Sequence, residues 1–376
     1  MRNVLVNLAI PLLIYLHVGP TPSICPAFPS PEQTLESDTF ANSVNSQDVS
    51  DLFFLDSTYG WMAITDHDLG LGYVLRTTNG GSSWQKLSCP FGVRKLFFIT
   101  PKRGWAMRLV GDPTLHQTSI HLLDTVDGGR HWNEVGKKPI VKSIEESHPY
   151  LAAMAFMDEL NGWIVGAEPN QNGLILQTHD GGKTFERVTR ASAIFRGVAA
   201  GPKSGVLVFG DGSVLRSVDR GKHWEPAVNL EQLGIHPGTW FSIEAAKFIR
   251  DGHGWLAVNA PGGTILATSD FGQSWQVQSE ENDVMLFYDL WVVDANRLCA
   301  LGGGTVLFCS ADGGSTWNST DVLPKAAAGQ SIVFEKIVLL PSGRGWVVRD
   351  GGYLYRTTDG GRAWKEVSPN NPGGTT

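Results

Sequence analysis

From residue 48 onward the chain is a succession of short apolar runs, each closed by turn residues. Leu52-Phe53-Phe54-Leu55-Asp56 passes through a turn to Gly60-Trp61-Met62-Ala63. The same turn recurs from Thr100 to Gly104-Trp105, Asp158 to Gly162-Trp163, Arg250 to Gly254-Trp255 and Pro341 to Gly345-Trp346. Apolar runs this short, bounded by Gly, Pro, Asn and Asp, predict strands. Four fit in the first unit: A over 52–55, B over 61–64, C over 73–77 and D over 84–87. In unit four the turn keeps only a glycine, Gly205 before Val206, and in unit six it is degenerate between Asp294 and Cys299.

A second motif falls between C and D. Thr77-Thr78-Asn79-Gly80-Gly81-Ser82-Ser83-Trp84 returns as Thr125-Val126-Asp127-Gly128-Gly129-Arg130-His131-Trp132, and again five times with Asp180, Asp219, Asp270, Asp312 and Asp359 in the third place. The closing aromatics are 48, 53, 39, 51, 42 and 47 residues apart. Four strands repeating every 40–50 residues is the signature of a propeller blade. A lone four-stranded sheet leaves both faces wet, whereas blades stacked in a closed ring bury them. The expected fold is all-β: one seven-bladed β-propeller of four-stranded antiparallel blades over residues 48–369.

Composition agrees and narrows the class. Of 376 residues 44 are glycine and 20 proline, which argues against long helices, while 42% hydrophobic content argues against disorder. Eleven of the 13 tryptophans stand in the two motifs, six in boxes and five after the Gly-Trp turn, and read as core. A net charge of −7 gives no reason to expect nucleic acid. Four cysteines are too few for a disulfide-built fold. Cys299 and Cys309 lie opposite each other on strands B and C of unit six, either bridged or as two buried thiols.

Residues 4–16 form an apolar stretch after Arg2, too short to span a membrane but suited to a signal peptide. Residues 1–27 are therefore expected to be a cleaved leader, 28–47 a Pro- and Ser-rich linker and 370–376 a disordered tail. Export to a periplasmic or extracellular space follows. Cys25 stands where a lipoprotein cysteine would, although Ile24 before it is not small, so a lipid anchor there is disfavoured.

The box has a local physical task. A carboxylate can accept from backbone N–H groups just ahead, and glycine supplies positive φ without steric cost. Asn79 can make the same bonds, whereas an Asn could not stand in for a catalytic acid or a charge-dependent metal ligand. Asn79, Asp127, Asp180, Asp219, Asp270, Asp312 and Asp359 thus read as turn formers. This box is the Asp-box, or bacterial neuraminidase repeat. Coupled to strands ending Asp-x-x-x-Gly-Trp, seven times after a leader, the chain resembles the photosystem II stability/assembly factor family. The resemblance implies a propeller that binds a client and performs no catalysis.

The alternative class is a carbohydrate-active propeller, a glycosidase or lectin of the sialidase-like group. A sialidase would need an Arg-Ile-Pro signature, which is absent, and the related polysaccharide hydrolases use two propellers. Among His67, His116, His148 and His236 no two have metal-ligand spacing, and Asp66-His67-Asp68 is the nearest approach to a cluster. No catalytic residue, cofactor or metal is expected.

Length variation points to the binding face. B–C loops over 65–72, 108–121 and 167–173, and D–A connections over 136–150, 228–242 and 319–331, vary and share one face, whereas A–B turns and boxes hardly vary. Loops on a rigid scaffold carry recognition. Trp240 and His236, in the fourth D–A connection, are candidate partner contacts. Arg76, Arg216 and Arg356, each just before a box, are a second set, because the assembly-factor family is similar in carrying client-contacting arginines on its propeller. Asp124, Gln177, Ala267 and Cys309 interrupt that set in the other units. The expected partner is a protein or peptide, with membrane contact only through that client, and the expected state is a monomer.

Overall fold

The computed structural model describes residues 34–36, 48–66, 71–87, 91–112, 117–136, 138–142, 150–168, 172–191, 193–201, 204–236, 241–249, 252–260, 262–281, 286–323 and 333–367. They form seven antiparallel sheets arranged as the blades of a propeller, each running A-B-C-D from the centre outward. Strand A is Asp48–Phe54 in blade 1, Lys95–Phe98 in blade 2, Tyr150–Phe156 in blade 3 and Phe195–Ala200 in blade 4. It continues as Ser242–Phe248, Phe287–Val292 and Phe334–Leu339 in blades 5 to 7. All four strands of blade 1 come from the N-terminal end of the ring and all four of blade 7 from its C-terminal end. Among the described residues no strand is shared across the junction.

Three joints, between blades 1 and 2, 2 and 3, and 7 and 1, share one plan. Trp61 of strand B lies on Phe98 of the next blade, ring centroids 3.6 Å apart and 6° from parallel, and Trp105 lies on Phe156 at 3.7 Å and 1°. The box aromatic closes the stack edge-on in blades 2 and 1, Trp132 against Phe98 and Trp84 against Phe54. The glycine before each tryptophan is required by this packing: a Cβ on Gly104 would sit 2.3 Å from the Phe98 ring. At the junction of blades 7 and 1, Trp346 stacks on Phe54 and meets Trp84 edge-on within one shared core cluster.

Blade 4 departs from the expected register. Val206 pairs with Ser217, the position of Gly60 opposite Thr77, so Gly205 aligns with Tyr59 and Leu207 stands where Trp61 does. The missing indole is replaced from the other side. Phe271, in the blade 5 box at φ 56°, presses against Gly201 and Gly205, where a Cβ would lie 1.7 Å and 2.3 Å from its ring. In blade 6, Cys299 and Cys309 occupy the equivalent B–C pair and are joined by a disulfide.

Two further strands lie outside the four-strand plan. Thr34–Glu36, within the expected linker, pairs with the outer strand of blade 1, and Val141–Lys142 pairs with strand C of blade 2. The expected leader and tail, residues 1–27 and 370–376, lie outside the described residues, as does Cys25.

Strand A lines a central channel. One equivalent register position of that strand carries Asp289, Lys336, Asp51 and Lys95 on the consecutive blades 6, 7, 1 and 2, and Ala153, Gly197 and Ala245 on the rest. Lys336 pairs with Asp51 across the junction of the chain ends. Asp51 also accepts from Leu96 N at 2.8 Å, and Asp289 from Ile337 N at 2.9 Å. Burial pushes the Asp51 carboxyl up, but Lys336, Lys95 and the Leu96 N–H outweigh it and hold it below its usual value.

Candidate client-binding surface

Each box folds on one template. The Thr or Ser hydroxyl donates to the Asp and accepts from the second glycine N–H; Thr178 does so to Asp180 at 2.8 Å and from Gly182 at 2.8 Å. The Asp then accepts from the N–H four residues on, Thr184 N at 2.9 Å, and from its hydroxyl at 2.6 Å. Asn79 copies this with its amide: Oδ1 accepts from Thr77 and Ser83 N, and Nδ2 donates to Ser83 Oγ at 2.9 Å. Slight burial raises the Asp180 carboxyl, but the Thr184 bonds outweigh it and bring it to about 2. The Thr316 hydroxyl and N–H likewise bring Asp312 to about 2. His223 holds Asp219 well below the carboxylate range through its N–H and ring. Asp127, Asp270 and Asp359 are lowered too, Asp359 chiefly by the Ala363 N–H. These carboxylates are consumed by turn bonds, an arrangement suited to holding backbone rather than moving protons.

The carbonyl after the box Asp receives the neighbouring blade. Trp61 Nε1 donates to Gly128 O at 2.9 Å, Trp105 Nε1 to Gly181 O at 3.1 Å and Trp255 Nε1 to Gly313 O at 3.4 Å. Blade 3 uses Gln177 Nε2 to Arg220 O at 2.6 Å, and blade 4, lacking the indole, uses Arg216 Nε to Phe271 O at 2.9 Å.

The candidate arginines therefore differ. Arg76 is buried, with Nη2 donating to Pro101 O of blade 2 at 3.1 Å. Arg216 joins blades 4 and 5 and pairs with Glu225 at 2.9 Å. Arg356, half-buried at the equivalent position opposite Trp346, has no hydrogen bond or ion pair among the described residues. All three stand at the box end of strand C. His236 is exposed at the other end of the ring, so the two sets of candidates form no single site. Trp240 lies outside the described residues.

On the loop face, the fourth D–A connection is pinned to the ring. A turn of 3₁₀ helix over Glu231–Leu233 buries its flanking Leu230 and Ile235 in the core between blades 4 and 5. The expected B–C loop over 108–121 is instead mostly ladder: Gly104–Asp112 pairs with Gln117–Thr125 out to Asp112 opposite Gln117. Sequence reasoning missed this hairpin, although the alternation Arg108-Leu109 and Ile120-His121 signals it.

Comparison with known proteins fits this geometry. The chain is 24% identical over 308 residues to the chloroplastic photosystem II stability/assembly factor HCF136 of Arabidopsis thaliana, spanning 75% of this chain and 70% of that one. It is 26% identical over 287 residues to the photosystem II assembly protein Ycf48 of Thermosynechococcus vestitus, 54% of this chain and 80% of that one. A solved structure described as YCF48 bound to D1 peptide superposes with a TM-score of 0.55 at 20% identity, covering 88% of this chain and 97% of the other. Residues 93–239 and 239–375 match the family of the photosynthesis system II assembly factor YCF48, and the chain belongs to that family.

Proposed function

We propose that this protein is an exported, monomeric assembly factor that holds an extended segment of a photosystem II client, of the D1 type, on its loop face. The observation that carries the choice of face is the contrast between the two ends of the ring. One end is seven copies of the same hydrogen-bonded turn, and the other is where the blades differ, with His236 and Trp240 on a connection anchored by Leu230 and Ile235. The Cys299–Cys309 bridge supports an oxidising compartment, in keeping with the apolar leader. Arg356 is the one candidate arginine whose guanidinium is not committed to a blade joint among the described residues. The family is one of assembly factors, and the protein acts by binding rather than by catalysis.

Fluorescence anisotropy with tiled peptides of the D1 protein tests the reading. One register should bind, and His236→Ala with Trp240→Ala should weaken it at least tenfold while leaving the melting temperature unchanged. Retained binding in that double variant, with loss in Arg356→Ala, would move the site to the box end.

A further inference from the structure

The seven equivalent B–C pairs at the box end are Trp61–Arg76, Trp105–Asp124, Trp163–Gln177, Leu207–Arg216, Trp255–Ala267, Cys299–Cys309 and Trp346–Arg356. In blades 1 to 4 a polar side chain fills the slot beside the next blade's turn. Arg76 reaches Pro101 O and lies over the Trp61 ring at 5.9 Å. In blade 2 the guanidinium comes from Arg103 instead, held by Asp124 at 2.6 Å and lying over Trp105 at 4.5 Å. Gln177 and Arg216 reach the carbonyls of Arg220 and Phe271.

Blade 5 has alanine there, and among the described residues the slot is open. A cleft of about 260 Å³ runs between blades 5 and 6, lined by His253, Trp255, Ala267, Gln276, Ala295 and Gly313 among others. Its floor matches the filled slot of blades 1 and 2. A Cβ on Gly313 would lie 3.1 Å from Ala295 O, as one on Gly128 would lie 2.6 Å from Pro101 O. The Cβ on Gly128 would also meet the Arg76 guanidinium carbon at 2.8 Å, whereas the one on Gly313 would meet nothing else among the described residues within 4 Å.

We infer that this cleft is a receptor for an arginine side chain presented by a protein partner, which completes the joint as Arg76 does from within the chain. A guanidinium suits the site because it is planar, donates to a turn carbonyl as Arg76 does to Pro101 O, and packs on an indole. A lysine ammonium would meet the Ala295 carbonyl but could not lie flat on the Trp255 ring. The cleft lies on the opposite face from the loops invoked above, so it goes beyond that reading and stands or falls separately.

The test uses the full chain labelled at tryptophan nitrogen, titrated with N-acetyl-arginine amide while indole N–H resonances are followed. A saturable shift of the Trp255 signal is expected, with Kd on the order of 1 mM as befits one side chain. The isosteric, uncharged N-acetyl-citrulline amide should bind at least tenfold more weakly. Ala267→Arg, which supplies the missing group from within, should abolish the shift, and Ala267→Gln, which copies Gln177 of blade 3, should do so if the arginine variant fails to fold. Arg76→Ala should create a second responsive indole at Trp61. Equal binding of the citrulline compound, or an undiminished shift in a folded Ala267 variant, would overturn the assignment.

Discussion

Blades 2 and 3 meet across a joint that the chain crosses, whereas blades 7 and 1 meet across one that it does not. The two use the same aromatic plan with different precision. Trp105 and Phe156 are parallel to 1° at 3.7 Å, with the indole N–H bonded to Gly181 O. Trp346 and Phe54 are 20° apart at 5.1 Å. What the closing joint lacks in stacking it supplements with charge, through Lys336 and Asp51 in the channel wall. A strand from one chain end could complete the blade of the other; among the described residues closure is made by side chains instead. A non-covalent seam under such conditions needs contacts that tether chain ends after every other blade has formed, because the entropy of closing the longest loop falls on it.

The sharpest way to break the comparison is to truncate the internal joint. Trp105 is fully buried, so Trp105→Ala should cost toward the upper end of ~3–5 kcal/mol, the range for large aromatics removed from cores. Denaturant unfolding checks this, and the loss should be cooperative, because blades 2 and 3 cannot separate without opening the ring elsewhere. If the variant instead unfolds in two steps, the blades are more independent than the packing implies.

A smaller effect is expected at the seam. Lys336→Met leaves the Asp51 carboxylate buried without its partner, which in closed cores costs about 3–5 kcal/mol; the opening of Lys336 to the channel brings the expectation to about 2–3 kcal/mol. The pH dependence has two signs. Asp51 is lowered in the folded protein, so its contribution is present above the unfolded carboxylate pKa of about 4 and fades as pH falls through the folded value. Burial pushes the Lys336 ammonium down, but Asp51 outweighs it and raises it, so its contribution is full below its unfolded pKa of about 10.4 and fades only at higher pH. Stability of the seam should therefore be flat between these limits. Melting curves of Lys336→Met should lose the acid limb that the unaltered protein shows; an unchanged limb would assign it to other carboxylates.

The architecture was readable because the ring repeats it: seven boxes and the Gly-Trp turns report blade number, strand count and the A–B and C–D ends without any tertiary knowledge. What escaped was whatever one blade borrows from another. Gly205 looks like the glycine of the Gly-Trp turn, but the true equivalent is Val206, since Phe271 from blade 5 supplies the aromatic and needs both Gly201 and Gly205 bare to reach in. Arg76 and Arg216 read as surface cations from their place on strand C, and nothing local reveals that a carbonyl of the next blade is waiting for each. The candidate site is less legible than the fold for the same reason. The loop residues proposed to meet the client follow no repeat, and recognition of a partner leaves no periodicity.

The smallest expected effect separates the two ways of making a box. Asn79 and Asp180 fill the same position with the same bonds to hydroxyl and backbone, yet only Asp180 titrates. With its carboxyl at about 2, the box of blade 3 should hold at pH 4 and loosen as pH falls toward 2, a loss in the direction expected for a lowered acid. The box of blade 1 has no such window. Carboxyl carbon shifts of Asp180, followed with the amide shifts of Thr184 and Ser83 across that range, read both sites in one sample. Asp180→Asn should remove the acid response of Thr184 and change stability at neutral pH by less than about 1 kcal/mol, because the side-chain oxygen still accepts and the amide can donate to Thr184 Oγ as Asn79 does to Ser83 Oγ. A large neutral-pH loss in that variant would mean the box needs charge as well as shape, and Asn79 would then need a compensating contact that the other six boxes lack.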